Sequence, residues 1–132
     1  PPSTRPRPHR CPKCAAALEA VRFGAHEVER CTGCRGLWLD ANELERLLKT
    51  PGAEDLDDGD ASVGRRYDDV TRVQCPRCDV PMVRMAHIQQ HHVWYETCGT
   101  CGGSWLDAGE LRDLAVYDLF DMIRDWFTRT RR

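Results

Sequence analysis

Eight cysteines, set twice in the same order, constrain this chain more than any other feature. They stand at Cys11, Cys14, Cys31 and Cys34, then at Cys75, Cys78, Cys98 and Cys101, reading C-x2-C-x16-C-x2-C and C-x2-C-x19-C-x2-C. Two residues between paired cysteines let one tight turn aim both sulfurs at a single ion, and a hairpin brings the second turn opposite the first. The duplication continues beyond the cysteines: Gly36/Gly103, Trp38/Trp105, Leu39/Leu106, Asp40/Asp107, Ala41/Ala108, Glu43/Glu110, Leu44/Leu111 and Leu47/Leu114 coincide. The offset is 64 residues at the first cysteine pairs and 67 at the second, so the second repeat carries three extra residues between its pairs. The 132 residues therefore divide into two small modules rather than one ordinary domain. Modules of this size bury too little apolar surface to fold securely alone, and need a metal or disulfide staple.

Four thiolates complete a tetrahedral shell and leave no position for water or substrate, which marks a structural zinc site. Two structural Zn2+ ions per chain are expected, and no catalysis at them. Pro12 and Pro76 stiffen the first turns, while Gly33, Gly36, Gly99, Gly102 and Gly103 are expected to supply the φ values needed around the second. Other uses of the thiols compete. CPKC and CPRC look like redox pairs, but each has a second pair at ribbon spacing and lacks a βαβ context. Iron would also accept four thiolates, and structural disulfides suit such pairs least in a reducing compartment.

Between the cysteine pairs the pattern is strand-like. LEAVRF and AHEVER flank Gly24, and MVRMAHI and HHVWYE flank a polar tip at Gln89 and Gln90, so each module should contain a hairpin. After each WLD the pattern turns helical. Asp40 with Glu43, and Asp107 with Glu110, have the spacing of reciprocal helix caps. The first helix should run from about Ala41 to Lys49 and stop at Thr50-Pro51-Gly52, whereas the second meets no Pro or Gly between Glu110 and Thr128. The fold class expected is a small zinc-stabilised α+β chain of two tandem zinc ribbons, the second ending in a long amphipathic helix. The boundaries are a basic lead-in over 1–10, ribbon one over 11–50, an acidic linker over 51–72, ribbon two over 73–114 and the helix extension over 115–132.

CPKC…CTGCRGLWLDANELERL and CPRC…CGTCGGSWLDAGELRDL each resemble the transcription factor IIB-type zinc-ribbon domain found in many bacterial proteins, whose pattern is CPxC, a short hairpin, CxxCxGxWLDxxEL and a helix. The resemblance covers both modules. It implies zinc at the eight cysteines and a non-enzymatic, transcription-related role, after ribbons that contact RNA polymerase. The lead-in, the linker and the C-terminal extension fall outside it.

An Asp and a Glu beside a metal could suggest acid–base catalysis. Capping explains them better, because both positions suit the positive end of a helix and its unpaired N–H groups. Trp38 and Trp105 each lie four residues beyond the last ligand, and are expected to pack helix against hairpin rather than to anchor a partner or stack on a base. His26, His87, His91 and His92 are read as exposed polar residues, since four cysteines already close each site.

Charge bears on partners. Eight thiolates and two zinc dications take the formal net charge from −2 to −6. Ala53 to Asp69 holds seven acids against two arginines. Only the ends are basic, with Arg5, Arg7, Arg10 and Lys13 at one and Arg129, Arg131 and Arg132 at the other. Duplex binding normally wants a broad basic face, so a protein partner is favoured over nucleic acid held by the tails. No apolar run is long enough to span a membrane, and a cytoplasmic location is expected. The C-terminal segment carries a wide apolar arc, with Phe120, Ile123, Trp126 and Phe127 as candidate partner-binding residues. That arc could pack across both modules, form a homodimer or partner interface, or lie on a membrane surface, the last opposed by its acidic polar face.

Overall fold

The computed structural model of the chain describes residues 10–70, 72–87 and 93–115. The expected hairpins form where alternation and Gly24 place them. β1 (Leu18–Phe23) pairs antiparallel with β2 (His26–Cys31), and β4 (Val83–Ala86) pairs with β5 (Trp94–Thr97). Each module adds a short third strand that its sequence pattern does not announce: β3 (Leu37–Leu39) and β6 (Ser104–Leu106). All six residues of these two strands are buried. LWL and SWL are too short to display alternation, and both faces of each strand are covered.

The third strands pair with each other. β3 runs antiparallel to β6 with Leu37 opposite Leu106, Trp38 opposite Trp105 and Leu39 opposite Ser104. The two ribbons thereby fuse into one six-stranded antiparallel sheet in the order β1-β2-β3-β6-β5-β4. Its centre lies between the two tryptophans, and the registers set Ala20, Glu29, Trp38, Trp105, Glu96 and Arg84 in one row across all six strands.

The two faces differ. On one, Leu37, Leu39 and Leu106 meet Leu44 and Leu47 of α1 (Glu43–Leu48) and Leu111 and Leu114 of α3 (110–115) in an apolar core. On the other, the tryptophans lie with the cysteine turns. The helices keep the repeat's 3.6-residue spacing of leucines inward.

The stretch read from composition as a linker over 51–72 carries helical elements between Ala53 and Asp68. A 3-10 turn (Ala53–Leu56) buries Ala53 and Leu56 in the helix-side core, and α2 (Ala61–Asp68) follows. Val63, Tyr67 and Val70 pack with the cysteine turns, at a helical spacing the acidic composition obscured. Gly64 lets α2 press onto the backbone of Ala108, whose carbonyl a Cβ at that position would overlap. Several of the acids that suggested a solvated tether are paired within the fold. Asp58 binds Arg35 at 2.7 Å and Arg30 at 3.2 Å, Asp68 binds Arg84 at 2.9 Å, and Asp60 caps α2 through the Ser62 N–H at 2.8 Å. The long amphipathic helix expected over 115–132, with Phe120, Ile123, Trp126 and Phe127, lies outside the described residues beyond Ala115.

Candidate metal centres and the contacts that join them

The eight cysteines converge into two clusters, Cys11/Cys14/Cys31/Cys34 and Cys75/Cys78/Cys98/Cys101, with the four sulfurs of each within 4.8 Å of one another. None is in a disulfide. Cys11 and Cys34 lie 3.7 Å apart, Cys14 and Cys31 3.3 Å, and Cys75 and Cys101 3.8 Å. Thiolates at about 2.3 Å from one tetrahedral zinc stand about 3.8 Å apart, so this spacing suits a single ion. In each first turn two backbone N–H groups point at the leading sulfur: Lys13 and Cys14 at Cys11, Arg77 and Cys78 at Cys75. Gly33 and Cys34 do the same for Cys31. Such bonds favour thiolate over thiol.

The thiols themselves call for a cation. The hydrogen bond from Cys34, helped by the turn N–H groups, holds Cys11 down to about 6. Burial opposes ionisation of Cys98, yet hydrogen bonds from Cys101, Thr100 and Cys75 bring it to about 7. Their neighbours move the other way: Cys34 is driven up by the thiolate it bonds, and burial pushes Cys75 up to about 12. One thiol in each cluster ionises readily, whereas Cys31 and Cys34 in the first and Cys75 and Cys78 in the second resist. A dication is what allows all four to be thiolates together. The two clusters are structural zinc sites, and a four-thiolate zinc keeps no position open for a substrate.

The glycines near the second turns act otherwise than expected. Of Gly33, Gly36, Gly99, Gly102 and Gly103, only Gly102 takes a left-handed φ, at 76°, and its counterpart Arg35 takes one at 65°. Gly36 and Gly103 are small for another reason. A Cβ on Gly36 would overlap the Trp105 indole, and one on Gly103 would overlap the Trp38 indole. Each tryptophan lies across the other module's second turn. Trp38 and Trp105 are 1% and 0% exposed, so they are core residues, but of the junction between modules rather than of one module each.

The acids also answer to the opposite module. The Lys13 ammonium, from between Cys11 and Cys14, reaches Asp107 at 2.6 Å, Glu96 at 2.7 Å and the Tyr67 carbonyl at 3.0 Å. The ammonium donates hydrogen bonds to Asp107 and to the Tyr67 carbonyl and pairs in charge with Glu96, and its side chain is 0% exposed. Burial works against its charge, but Asp107 and Glu96 outweigh this and hold its pKa above the ordinary lysine value. In mirror fashion Arg77, from between Cys75 and Cys78, binds Asp40 at 2.7 Å and stacks over the Trp38 ring at 6.0 Å.

Helix capping is thereby rearranged. Asp40 does not cap α1. The residue at that end is Asn42, in a left-handed conformation at φ 67° with no side-chain bond, because Arg77 draws the Asp40 carboxylate away. Glu43 does not reach back either; it binds His26 at 2.7 Å and Arg46 at 2.8 Å. His26 is therefore a partly buried latch, also bonded to Thr50 at 2.9 Å, and not the exposed polar residue expected. In module two one half of the expected reciprocal pair exists: the Glu110 carboxylate accepts from the Asp107 N–H. The Asp107 side chain instead accepts from the Trp105 indole N–H at 3.1 Å and from Lys13. The capping carboxylate for α3 comes from the supposed linker. Asp57, 2% exposed, accepts from the N–H groups of Gly109 at 2.9 Å and Arg112 at 3.1 Å. Asp57→Ala should destabilise the zinc-loaded chain by about 1–3 kcal/mol, read as a lower urea midpoint, with the zinc content unchanged.

Asp68, Asp107 and Glu110 bring carboxylate oxygens within 4.8 Å of one another. Burial foremost, then the Asp107 charge, pushes Glu110 up to about 10, so it keeps its proton at neutral pH. Folding takes up that proton. Stability contributed by Glu110 is full below its ordinary carboxylic range and is lost as pH rises toward about 10. Urea melts from pH 7 to 9 should therefore show a decline of up to about 1.4 kcal/mol per pH unit for this proton. Glu110→Gln should flatten it, since the amide oxygen can still accept from Asp107.

His87 lies 6.4 Å from Tyr95 in a tilted ring contact, and His91 and His92 lie outside the described residues. Among the described residues, no helix is long and apolar enough to cross a membrane. The sequence reading found every cysteine but missed Lys13, Arg77, Glu96 and Asp57. A signal for the first two was present: the third position of CPxC is basic in both copies.

Comparison with known proteins agrees with the geometry. A family model described as "Transcription factor zinc-finger" matches twice, over residues 10–50 and 74–116. No curated protein and no solved structure matches the chain.

Proposed function

The chain belongs to the transcription factor zinc-finger family, with two tandem copies of its zinc ribbon, and on that premise we propose that it is a non-enzymatic adaptor that binds another protein in transcription or its regulation. One observation carries the reading: the outer hairpin of module two exposes apolar side chains, two of them at positions where module one is charged. Val83 and Met85 on β4 are 57% and 42% exposed, and Trp94 on β5 is 42% exposed. The aligned positions of module one hold Glu19 for Val83, Val21 for Met85 and Glu27 for Trp94. Exposed apolar side chains such as Val83 and Met85 on the edge strand β4 suit a protein surface better than a phosphate backbone. Charge supports the same choice. Lys13, Arg30, Arg35, Arg77, Arg84 and Arg112 are each paired with a carboxylate of the chain itself, so they assemble no free basic face.

The test compares the full zinc-loaded chain with a Val83→Glu/Met85→Glu variant that retains two zincs, measuring binding to purified RNA polymerase by interferometry. Saturable binding that the variant loses supports the proposal. Binding to duplex DNA or RNA at physiological salt, abolished by removing residues 1–10 and 129–132, would replace it with a nucleic-acid role.

A further inference from the structure

Both turns of the first zinc site touch module two. The CPKC turn sends Lys13 to Asp107 and Glu96, and the turn after Cys34 brings Gly36 under Trp105. The second site repeats this in reverse, with Arg77 on Asp40 and Gly103 under Trp38. Lys13 and Arg77 are each flanked by two ligands of their own site, so the backbone that aims the sulfurs also aims the cation. A site that loses its metal loses the turn geometry that holds these groups, and the contacts it gives up are those stabilising the other module. Coupling of this kind is a free energy shared by two sites, and is necessarily reciprocal. The element both ions bias is the β3–β6 junction, whose residues are buried between the two second turns.

We propose that the two zinc sites are thermodynamically coupled through the Lys13 and Arg77 cross-module contacts and the paired tryptophans, so that the chain gains or loses its two metal ions as a unit. Nothing in the spacing of either ribbon alone requires this. It makes the folded adaptor surface a steep function of available zinc, where two independent ribbons would respond gradually.

The experiment uses the full chain and zinc alone. Site two is disabled by Cys75→Ser/Cys78→Ser, and site one's zinc affinity is measured by competition with a chromogenic chelator; the reciprocal variant is Cys11→Ser/Cys14→Ser. Coupling predicts that each surviving site binds zinc about tenfold or more weakly than in the intact chain. An unchanged affinity at the surviving site in either variant overturns the proposal. A second arm keeps all eight cysteines and changes Lys13→Gln with Arg77→Gln. Native mass spectrometry at half-removal of zinc should show mainly two-zinc and zinc-free intact chain, and a markedly larger one-zinc fraction for the double variant. A one-zinc fraction in the intact chain equal to that of the double variant would remove these two cations from the coupling and overturn their assignment. Both arms read metal occupancy rather than partner binding, so they stand or fall independently of the adaptor reading.

Discussion

Removing zinc from this chain with a strong chelator will unfold it. Structural zinc contributes apparent binding energies of about 10–16 kcal/mol at neutral pH, comparable with or larger than the whole stability of a typical domain, about 5–15 kcal/mol. The core that would remain is thin, because one apolar cluster is built on the cysteine turns and the other on three-residue strands and short helices. Tryptophan emission should shift to the red as Trp38 and Trp105 become wet, and far-ultraviolet dichroism should lose its strand signal. Eight thiols should become reactive toward a thiol reagent where the loaded chain shows few. Returning zinc under reducing conditions should restore all three signals. Acid should act like the chelator, since thiolates must be protonated as pH falls and the metal is released. A chain that kept its native spectrum with no metal bound would show that the clusters are not what holds it together.

The second large effect is expected at the junction. Trp105→Ala should cost about 3–5 kcal/mol, the range for truncating a fully buried aromatic. Three contacts are lost together: the packing on Gly36, the cross-strand neighbour Trp38, and the indole N–H bond to Asp107. The last loss also weakens the Asp107 carboxylate's hold on Lys13. A urea melt of the zinc-loaded variant reads this directly, provided that metal analysis still finds two zincs per chain. Gly36→Val attacks the same contact from the other side and should cost a similar amount, since its side chain needs the space the indole fills. Trp94→Ala is the contrast. That indole is 42% exposed and its change should stay near 0.5 kcal/mol. If Trp105→Ala and Trp94→Ala melted alike, the two modules would not depend on their shared centre.

Local chemistry made the sites legible. A pair of cysteines two residues apart makes its turn from its own neighbours, so its ligand role shows in a single line of sequence. The pairings of β1 with β2 and of β4 with β5 are almost as local, and alternation with Gly24 sufficed to place the first. The acids were harder. Asp40 and Asp107 stand where a cap would, and only the approach of Arg77 and Lys13 from the other repeat reassigns them. The stretch over 51–72 was harder still, because acidic composition signals a solvated tether when the arginines that neutralise it lie far away in sequence.

Sequence alone thus determined two zinc-stapled ribbons, their eight ligands and their family, because each of these is written within a few residues and repeated. Tertiary structure alone decided that the ribbons are one sheet. Three-residue strands carry no periodicity that could foretell a partner, and the value of a tryptophan, a glycine or a lysine between two ligands depends on what the opposite repeat brings to it. Pairing β3 with β6 buries both tryptophans at once and turns two marginal modules into a single core.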